Sequence, residues 1–183
     1  MIKIFRRLAF FIFILLQFIF LFSIFFEKFD TPLLLGSLLL LSSLLSLAYY
    51  NSPRKEEEFF IKDIYLIFFV VLGALVSYLI NLQMGPVIAA AATGTAASFI
   101  PSLFRKNKTG IIAEFPAAVY CGAFVGMTAP SVAGNLSFII FSGFIAGSLL
   151  LIAKNIFNGF GGKLGTIAFG GVALSSAIIY WLF

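Results

Sequence analysis

Long apolar stretches separated by short polar segments dominate this chain, and seven of them approach the length of a membrane-spanning helix. A helix needs about 20 apolar residues to cross the hydrocarbon core of a bilayer. We therefore predict an all-α fold, a polytopic transmembrane helix bundle of about seven spans. In chain order the predicted spans are Leu8–Phe26, Pro32–Tyr50, Ile64–Leu82, Pro86–Phe104, Pro116–Pro130, Leu136–Ala153 and Leu164–Phe183.

Two of the predicted spans allow more than one interpretation. The first follows a basic N-terminus, as a secretory signal does, but it ends at Glu27 and Lys28 without a small-residue cleavage site. We expect an uncleaved first helix. The fifth span is short and is bounded by Pro116 and Pro130, which predicts a tilted or broken helix.

The basic residues are concentrated on one side of the predicted topology. If the N-terminus is cytoplasmic, eleven of the twelve basic residues lie in inside segments and only Lys28 lies outside. The positive-inside rule describes this distribution. We therefore predict a multi-pass protein of the inner, or plasma, membrane with a cytoplasmic N-terminus and an outside C-terminus. The inside residues are Lys3, Arg6, Arg7, Arg54, Lys55, Lys62, Arg105, Lys106, Lys108, Lys154 and Lys163.

The composition changes along the chain. The first two spans are rich in Leu and Phe, whereas Gly, Ala, Ser and Thr become frequent from Gly73 onward. Small residues let helix backbones approach each other closely in lipid. We predict a single transmembrane domain over residues 1–183, in which residues 1–31 form a peripheral helix and the last five spans pack tightly. The small-residue motifs are Ala90-x-x-x-Gly94, Gly122-x-x-x-Gly126 and Gly143-x-x-x-Gly147.

An internal similarity indicates a repeat. Residues 81–98 align with residues 158–175 at an offset of 77 positions. The fourth span runs from outside to inside and the seventh in the opposite direction, so a repeat of residues 32–104 in residues 105–183 would be inverted. Transporters are often built from such 3+3 inverted repeats. The matching positions are Asn81/Asn158, Gly85/Gly162, Ala91/Ala168, Gly94/Gly171, Ala96/Ala173 and Ser98/Ser175.

Composition argues against several classes of function. Only 10% of the residues are charged, compared with about 25% in soluble domains. The net charge of +5 comes from short clusters between apolar runs, so we expect no nucleic-acid partner. The chain has no His and one Cys, which excludes a Cys/His zinc site and a general base of the usual kind. We predict no enzyme activity, no cofactor and no metal site.

Polar and backbone-breaking residues cluster in the last five spans. Gly and Pro at membrane depth are tolerated where they are buried in protein or line a watery cavity. A solute or ion pathway can be lined by hydroxyls and backbone carbonyls. We predict such a pathway among spans four, five and seven. Its candidate residues are Thr93, Thr95, Ser98, Glu114, Tyr120, Gly126, Thr128, Asn135, Lys163 and Thr166.

Two functions fit these features. The first is a small transporter or channel for a small solute or ion. At 20.0 kDa its pathway would be narrow or would be formed by a homo-oligomer. The alternative is a non-transporting anchor or assembly subunit of a larger membrane complex, which would use the charged loop of residues 51–62 and the Gly-rich helix faces.

Overall fold

The computed structural model describes residues 32–50, 63–103, 111–153 and 162–182, together with single residues between 11 and 26. Every regular element in these residues is a helix, which confirms the all-α prediction. A four-residue helical turn, Pro130–Ala133, lies between the fourth and fifth helices. The helices are α1 (Pro32–Tyr50), α2 (Tyr65–Met84), α3 (Pro86–Leu103), α4 (Ile111–Gly126), α5 (Leu136–Ile152) and α6 (Lys163–Leu182).

Three of the described helices, α2, α3 and α6, are long and apolar enough to cross a membrane. The 20 residues of α2 rise about 30 Å, the thickness of a hydrocarbon core. The helices α4 and α5 and the Leu35–Leu44 part of α1 are apolar but shorter. These helices are compatible with a membrane protein. Most of the predicted first helix, residues 1–31, and the whole loop of residues 51–62 lie outside the described residues.

Glycine, proline and asparagine set several helix boundaries where the sequence predicts them. Gly85, at φ +85°, ends α2, and Pro86 begins α3 without loss of a helical hydrogen bond. Gly134, at φ +64°, precedes α5. The side chain of Asn135 then caps α5 by accepting a hydrogen bond from the Phe138 N–H at 3.0 Å.

The fifth predicted span is the one whose predicted boundaries differ most from those in the structure. The helix α4 begins at Ile111, five residues before the predicted start, and Pro116 lies inside it. Proline removes only the bond to the Ile112 carbonyl, and Glu114 favours a helical first turn because its charge complements the helix dipole. The predicted break falls after Gly126, at a turn that precedes Pro130.

The closest helix contact joins α2 and α4, and three glycines make it. A Cβ atom on Gly73 would collide with the Val119 carbonyl, and one on Gly122 would collide with the Val70 carbonyl. A Cβ on Gly126 would lie 2.6 Å from the Ala74 carbonyl oxygen, closer than real Cβ atoms approach. These contacts confirm that the Gly122-x-x-x-Gly126 motif brings two backbones together.

The helix α5 packs on another side of α2 through the second glycine motif. A Cβ on Gly147 would lie 2.7 Å from the Cα of Ile67. At Gly143 the corresponding distance to the Cα of Val71 is 3.2 Å. The helix α3 also contacts α2, and α4 contacts each of the other four bundle helices. The α2–α4 pair is therefore the centre of the bundle.

Small residues also join the outer helices to the bundle. A Cβ on Gly171 of α6 would lie 2.6 Å from the Cβ of Ala146 on α5. A Cβ on Gly94 of α3 would collide with the ring of Tyr120 on α4. The predicted tight packing of the last five spans is therefore present in α2 to α6.

The helix α1 stands apart from this bundle. In the described residues its contacts with α2 to α6 are marginal at most. Its large side chains are exposed along the helix, including Leu33, Leu39, Leu41, Leu44 and Leu47. The five-helix bundle therefore obtains its packing without α1.

The substitution Gly122→Ala tests the α2–α4 contact. We expect it to lower the free energy of unfolding in detergent by about 1–3 kcal/mol, because the added methyl group forces two backbones apart. The measurement is helical circular dichroism during chemical unfolding. Gly165→Ala on α6 is the control, since nothing lies within 4 Å of its Cβ position. Equal stability of the two variants would contradict the contact.

Candidate functional site

Five polar side chains are buried in the described helices. Some of them have hydrogen-bond partners and others do not. Buried polar groups in folded proteins almost always have hydrogen-bond partners. A buried group whose hydrogen bond is made within the protein therefore has a structural role and needs no ligand. The five residues are Ser77, Asn81, Thr93, Ser142 and Ser175.

A polar seam accompanies the glycine contact between α2 and α4. The Ser77 hydroxyl donates to the Ala123 carbonyl at 2.9 Å. The Asn81 side-chain amide donates to the carbonyls of Gly126 at 3.0 Å and Thr128 at 3.1 Å. The last carbonyls of a helix have no donor within that helix. Asn81 therefore caps the end of α4 from a neighbouring helix.

Several hydroxyls of the predicted pathway bond to their own local backbone. Ser98 donates to the Thr95 carbonyl at 2.7 Å. Thr128 donates to the Val125 carbonyl at 2.6 Å, and Thr166 donates to a carbonyl one turn before it at 3.2 Å. Such bonds are common for Ser and Thr in helices and need no ligand.

Among the described residues, two buried hydroxyls have no hydrogen-bond partner. Thr93 on α3 is 6% exposed, and Ser142 on α5 is fully buried. Leaving a buried hydroxyl unpaired is unfavourable. At these two buried positions, a bound polar group could therefore form a hydrogen bond that the protein itself does not supply.

The ionisable candidates lie at helix starts. The Tyr65 hydroxyl at the start of α2 donates to a carboxylate oxygen of Glu114 at 2.9 Å. Glu114 is in the first turn of α4, where a negative charge is favoured. Lys163 is the first residue of α6 and is partly buried. The hydrogen bond joins α2 to α4 at the end opposite Asn81.

Between the large exposed side chains of Ile88 and Phe99, the exposed side of α3 carries small and hydroxyl residues, and we call this part the α3 outer face. It consists of Ala91, Ala92, Thr95, Ala96 and Ser98. The exposed sides of α2 and α5 differ, since α2 presents Phe68, Leu72 and Leu79, and α5 presents Ile140 and Phe144.

Tyr120 lies beside the α3 outer face. It is 39% exposed, and its ring covers Gly94 of α3. The ring also meets Phe124 edge to face, with centroids 4.7 Å apart. Packing on two sides therefore fixes the position of this aromatic residue.

The ten predicted pathway residues do not converge on one cavity. Thr95 and Ser98 are exposed on α3, and the ring of Tyr120 on α4 covers Gly94. Thr93 and Gly126 are buried. Thr128 and Asn135 flank the turn between α4 and α5, whereas Glu114, Lys163 and Thr166 lie in first turns of helices.

Two grooves occur elsewhere among the described residues. One, of about 470 Å³, lies between side chains of residues 15–25 and α1, and its lining is almost wholly apolar. The other, of about 980 Å³, lies between the start of α5 and the end of α6. Of the predicted pathway residues, only Asn135 lines either groove.

The predicted pathway residues include none of the polar residues of α2, although the sequence contains a signal for them. Gly73, Ser77 and Asn81 are spaced four residues apart in an otherwise apolar helix. This spacing places all three on one helix face. Polar residues that lie on the same face as a glycine, in an otherwise apolar helix, predict that this face contacts another helix.

Comparisons with protein families, with curated proteins and with solved structures give no match for this chain. In the part of the chain that the structure describes, no three His, Cys, Asp or Glu side chains form a group that could hold a metal ion. Function is therefore inferred from the geometry of these helices.

The substitution Asn81→Leu tests the cap on α4. We expect it to lower the free energy of unfolding by about 2 kcal/mol, because the buried Gly126 carbonyl and the partly buried Thr128 carbonyl lose their donor. Chemical unfolding in detergent measures the change. Ser98→Ala is the control and should stay within about 0.5 kcal/mol, since Ser98 is exposed. An unchanged stability of Asn81→Leu would refute the cap.

Proposed function

We propose that this chain is a small integral membrane transporter or channel for a small solute or ion, and that it acts as a homo-oligomer. The observation that carries the proposal is the α3 outer face. In a bilayer that face would meet acyl chains, yet its middle consists of Ala, Thr and Ser.

Small residues on an exposed transmembrane face favour contact with another helix or with water. Lipid-facing helices are expected to expose large apolar side chains, as α2 and α5 do. Small residues are enriched where helices approach each other, and hydroxyls can replace part of a solute's hydration. We infer that copies of α3 face a shared pathway, with Thr95 and Ser98 as its polar groups.

The interior of a single bundle is a poor alternative location. The α2–α4 contact brings backbone against backbone, and the donors of Ser77 and Asn81 are engaged by carbonyls. A passage along this seam would require those contacts to break. A pathway between copies leaves them intact.

A cysteine substitution on the α3 outer face tests the pathway. In reconstituted protein, reaction of Thr95→Cys with a charged methanethiosulfonate should reduce KCl current or solute efflux by about half or more, since the adduct narrows the passage. Val76→Cys on α2, which is 40% exposed, is the matched control and should keep its flux. The native Cys121 is buried and should not react.

Three outcomes would count against this pathway. One is that native protein passes neither ions nor small neutral solutes. The second is that labelling Thr95→Cys and Val76→Cys has equal effects. The third is that Thr93→Val, which changes the bundle interior, blocks flux while labelled Thr95→Cys does not.

The second function, a non-transporting anchor or assembly subunit, is favoured by α1. This apolar helix has exposed leucines around it and at most marginal contacts with the bundle in the described residues. A different membrane protein could therefore bind it. Stoichiometric co-purification of one such protein, lost on Leu40→Ser and Leu44→Ser but not on Thr95→Leu, would support this function over transport.

We also propose the seven-span topology with a cytoplasmic N-terminus. Its support is the basic-residue distribution together with the apolar helices. Cysteines placed at Ser52 and Asn107 should react with an impermeant reagent from the cytoplasmic side. A cysteine at Ser131 should react from the opposite side. Labelling of Ser52 and Asn107 from different sides would exclude this topology.

The inverted repeat receives less support from the helix contacts. It would pair α1 with α4, but α4 packs against α2, whereas α1 makes at most marginal contact with the bundle. The α2–α3 and α5–α6 pairs do each pack together. We therefore propose that any internal symmetry is confined to these two helix pairs.

A further inference from the structure

Three helices of the bundle are shorter between their polar ends than a typical membrane core. The helix α4 has 16 residues and α5 has 17, which correspond to about 24 and 26 Å. On α6, Tyr180 follows Lys163 by 17 positions, a distance of about 26 Å. The hydrocarbon core of a typical bilayer is about 30 Å thick. These helices are therefore about 4 to 6 Å too short for it.

The ends of this α6 interval carry residues that mark membrane boundaries. Tyr180 and Trp181 at the end of α6 are 86% and 89% exposed. Tyr and Trp are enriched at the interface between membrane and water. A lysine near a helix end places its charge in the interface on its own side of the membrane. The part of α6 between Lys163 and Tyr180 is therefore the part that meets acyl chains.

The turn between α4 and α5 lies at the same level as the aromatic end of α6. Val132 and Asn135 line one groove together with Tyr180 and Leu182. Ser131 and Asn135 in this region are exposed polar residues. Such groups are favoured at the interface over contact with acyl chains. The ends of α4 and α6 and the start of α5 therefore reach the interface together.

The contact between α5 and α2 places this level below the tip of the α2–α3 pair. Moving from Gly147 to Gly143 on α5 moves the contact on α2 from Ile67 to Val71, so the two helices are antiparallel. In this register the start of α5 lies beside Tyr78, six residues before the end of α2. The α2–α3 tip therefore extends about 9 Å farther than α5. A helix longer than the membrane core is accommodated by tilt, so the length of α2 is compatible with a thin core.

We propose that the lipid-facing surface of α4, α5 and α6 binds phospholipids with short acyl chains, which give a hydrocarbon core of about 25 Å. Longer chains would have to compress beside this surface, because the polar groups of the turn and of Tyr180 lose hydration if they enter the core. The backbone contacts of the bundle keep the helix ends at fixed positions, so the lipid must adapt. The proposal goes beyond transport and does not depend on it.

Trp181 provides a native probe, since it is the one tryptophan of the chain. Brominated acyl chains quench tryptophan fluorescence on contact. The protein is reconstituted in phosphatidylcholine with brominated eighteen-carbon chains, mixed with unbrominated phosphatidylcholine of fourteen-, eighteen- or twenty-two-carbon chains. A lipid that binds more strongly displaces the brominated lipid and restores more fluorescence. We expect the fourteen-carbon lipid to bind about threefold more strongly than the eighteen-carbon lipid, and the twenty-two-carbon lipid to bind most weakly.

Insertion of four leucines separates the effect of helix length from that of the other features. Between Ile179 and Tyr180, the insertion lengthens the apolar part of α6 by about 6 Å and keeps Trp181 as the probe. We expect this variant to bind the eighteen-carbon lipid at least as strongly as the fourteen-carbon lipid. The matched control carries the same four leucines between Leu182 and Phe183, beyond the aromatic pair. It should keep the preference for short chains.

Three results would overturn the proposal. One is equal displacement of the brominated lipid from native protein by fourteen- and eighteen-carbon lipids. The second is failure of the brominated lipid to quench native Trp181, because the end of α6 then does not meet lipid. The third is the same chain-length preference in both insertion variants. Circular dichroism confirms that each variant is folded, and the series on native protein decides the question if an insertion is unstable.

Discussion

The backbone contact between α2 and α4 is the constraint on which the bundle depends. Helices in lipid gain little from hydrophobic burial against one another, so close packing and hydrogen bonds must hold them together. Gly73, Gly122 and Gly126 allow the approach. The approach then brings Ser77 and Asn81 within reach of the α4 carbonyls. Because α3 and α5 also pack on α2, their positions follow from this pair.

Much of the helix layout could be predicted from local sequence. The bounds of α1 match the prediction, and those of α3 and α5 differ from it by one residue, because apolar length, Pro86 and Asn135 mark these ends. Pro116 misled the prediction for α4. A proline removes one bond, and this loss did not outweigh a first turn stabilised by Glu114 and its contact with Tyr65.

The arrangement of polar groups could not be predicted in the same way. Thr93 and Thr95 are two residues apart on one helix, yet the first is buried without a partner and the second is exposed. Asn81 finds its acceptor 45 residues along the chain. Residue type indicates that a hydroxyl or amide is present, but only the packing of whole helices decides whether it bonds locally, joins two helices or stays unpaired.

The position of the Asn81 partner has a consequence for biosynthesis. The α2–α3 pair precedes α4 in the chain, so Ser77 and Asn81 emerge from the ribosome before the α4 carbonyls that accept their bonds. An amide facing acyl chains is unfavourable. The nascent hairpin is therefore metastable until α4 follows, and assembly of this bundle is coupled to the order of synthesis.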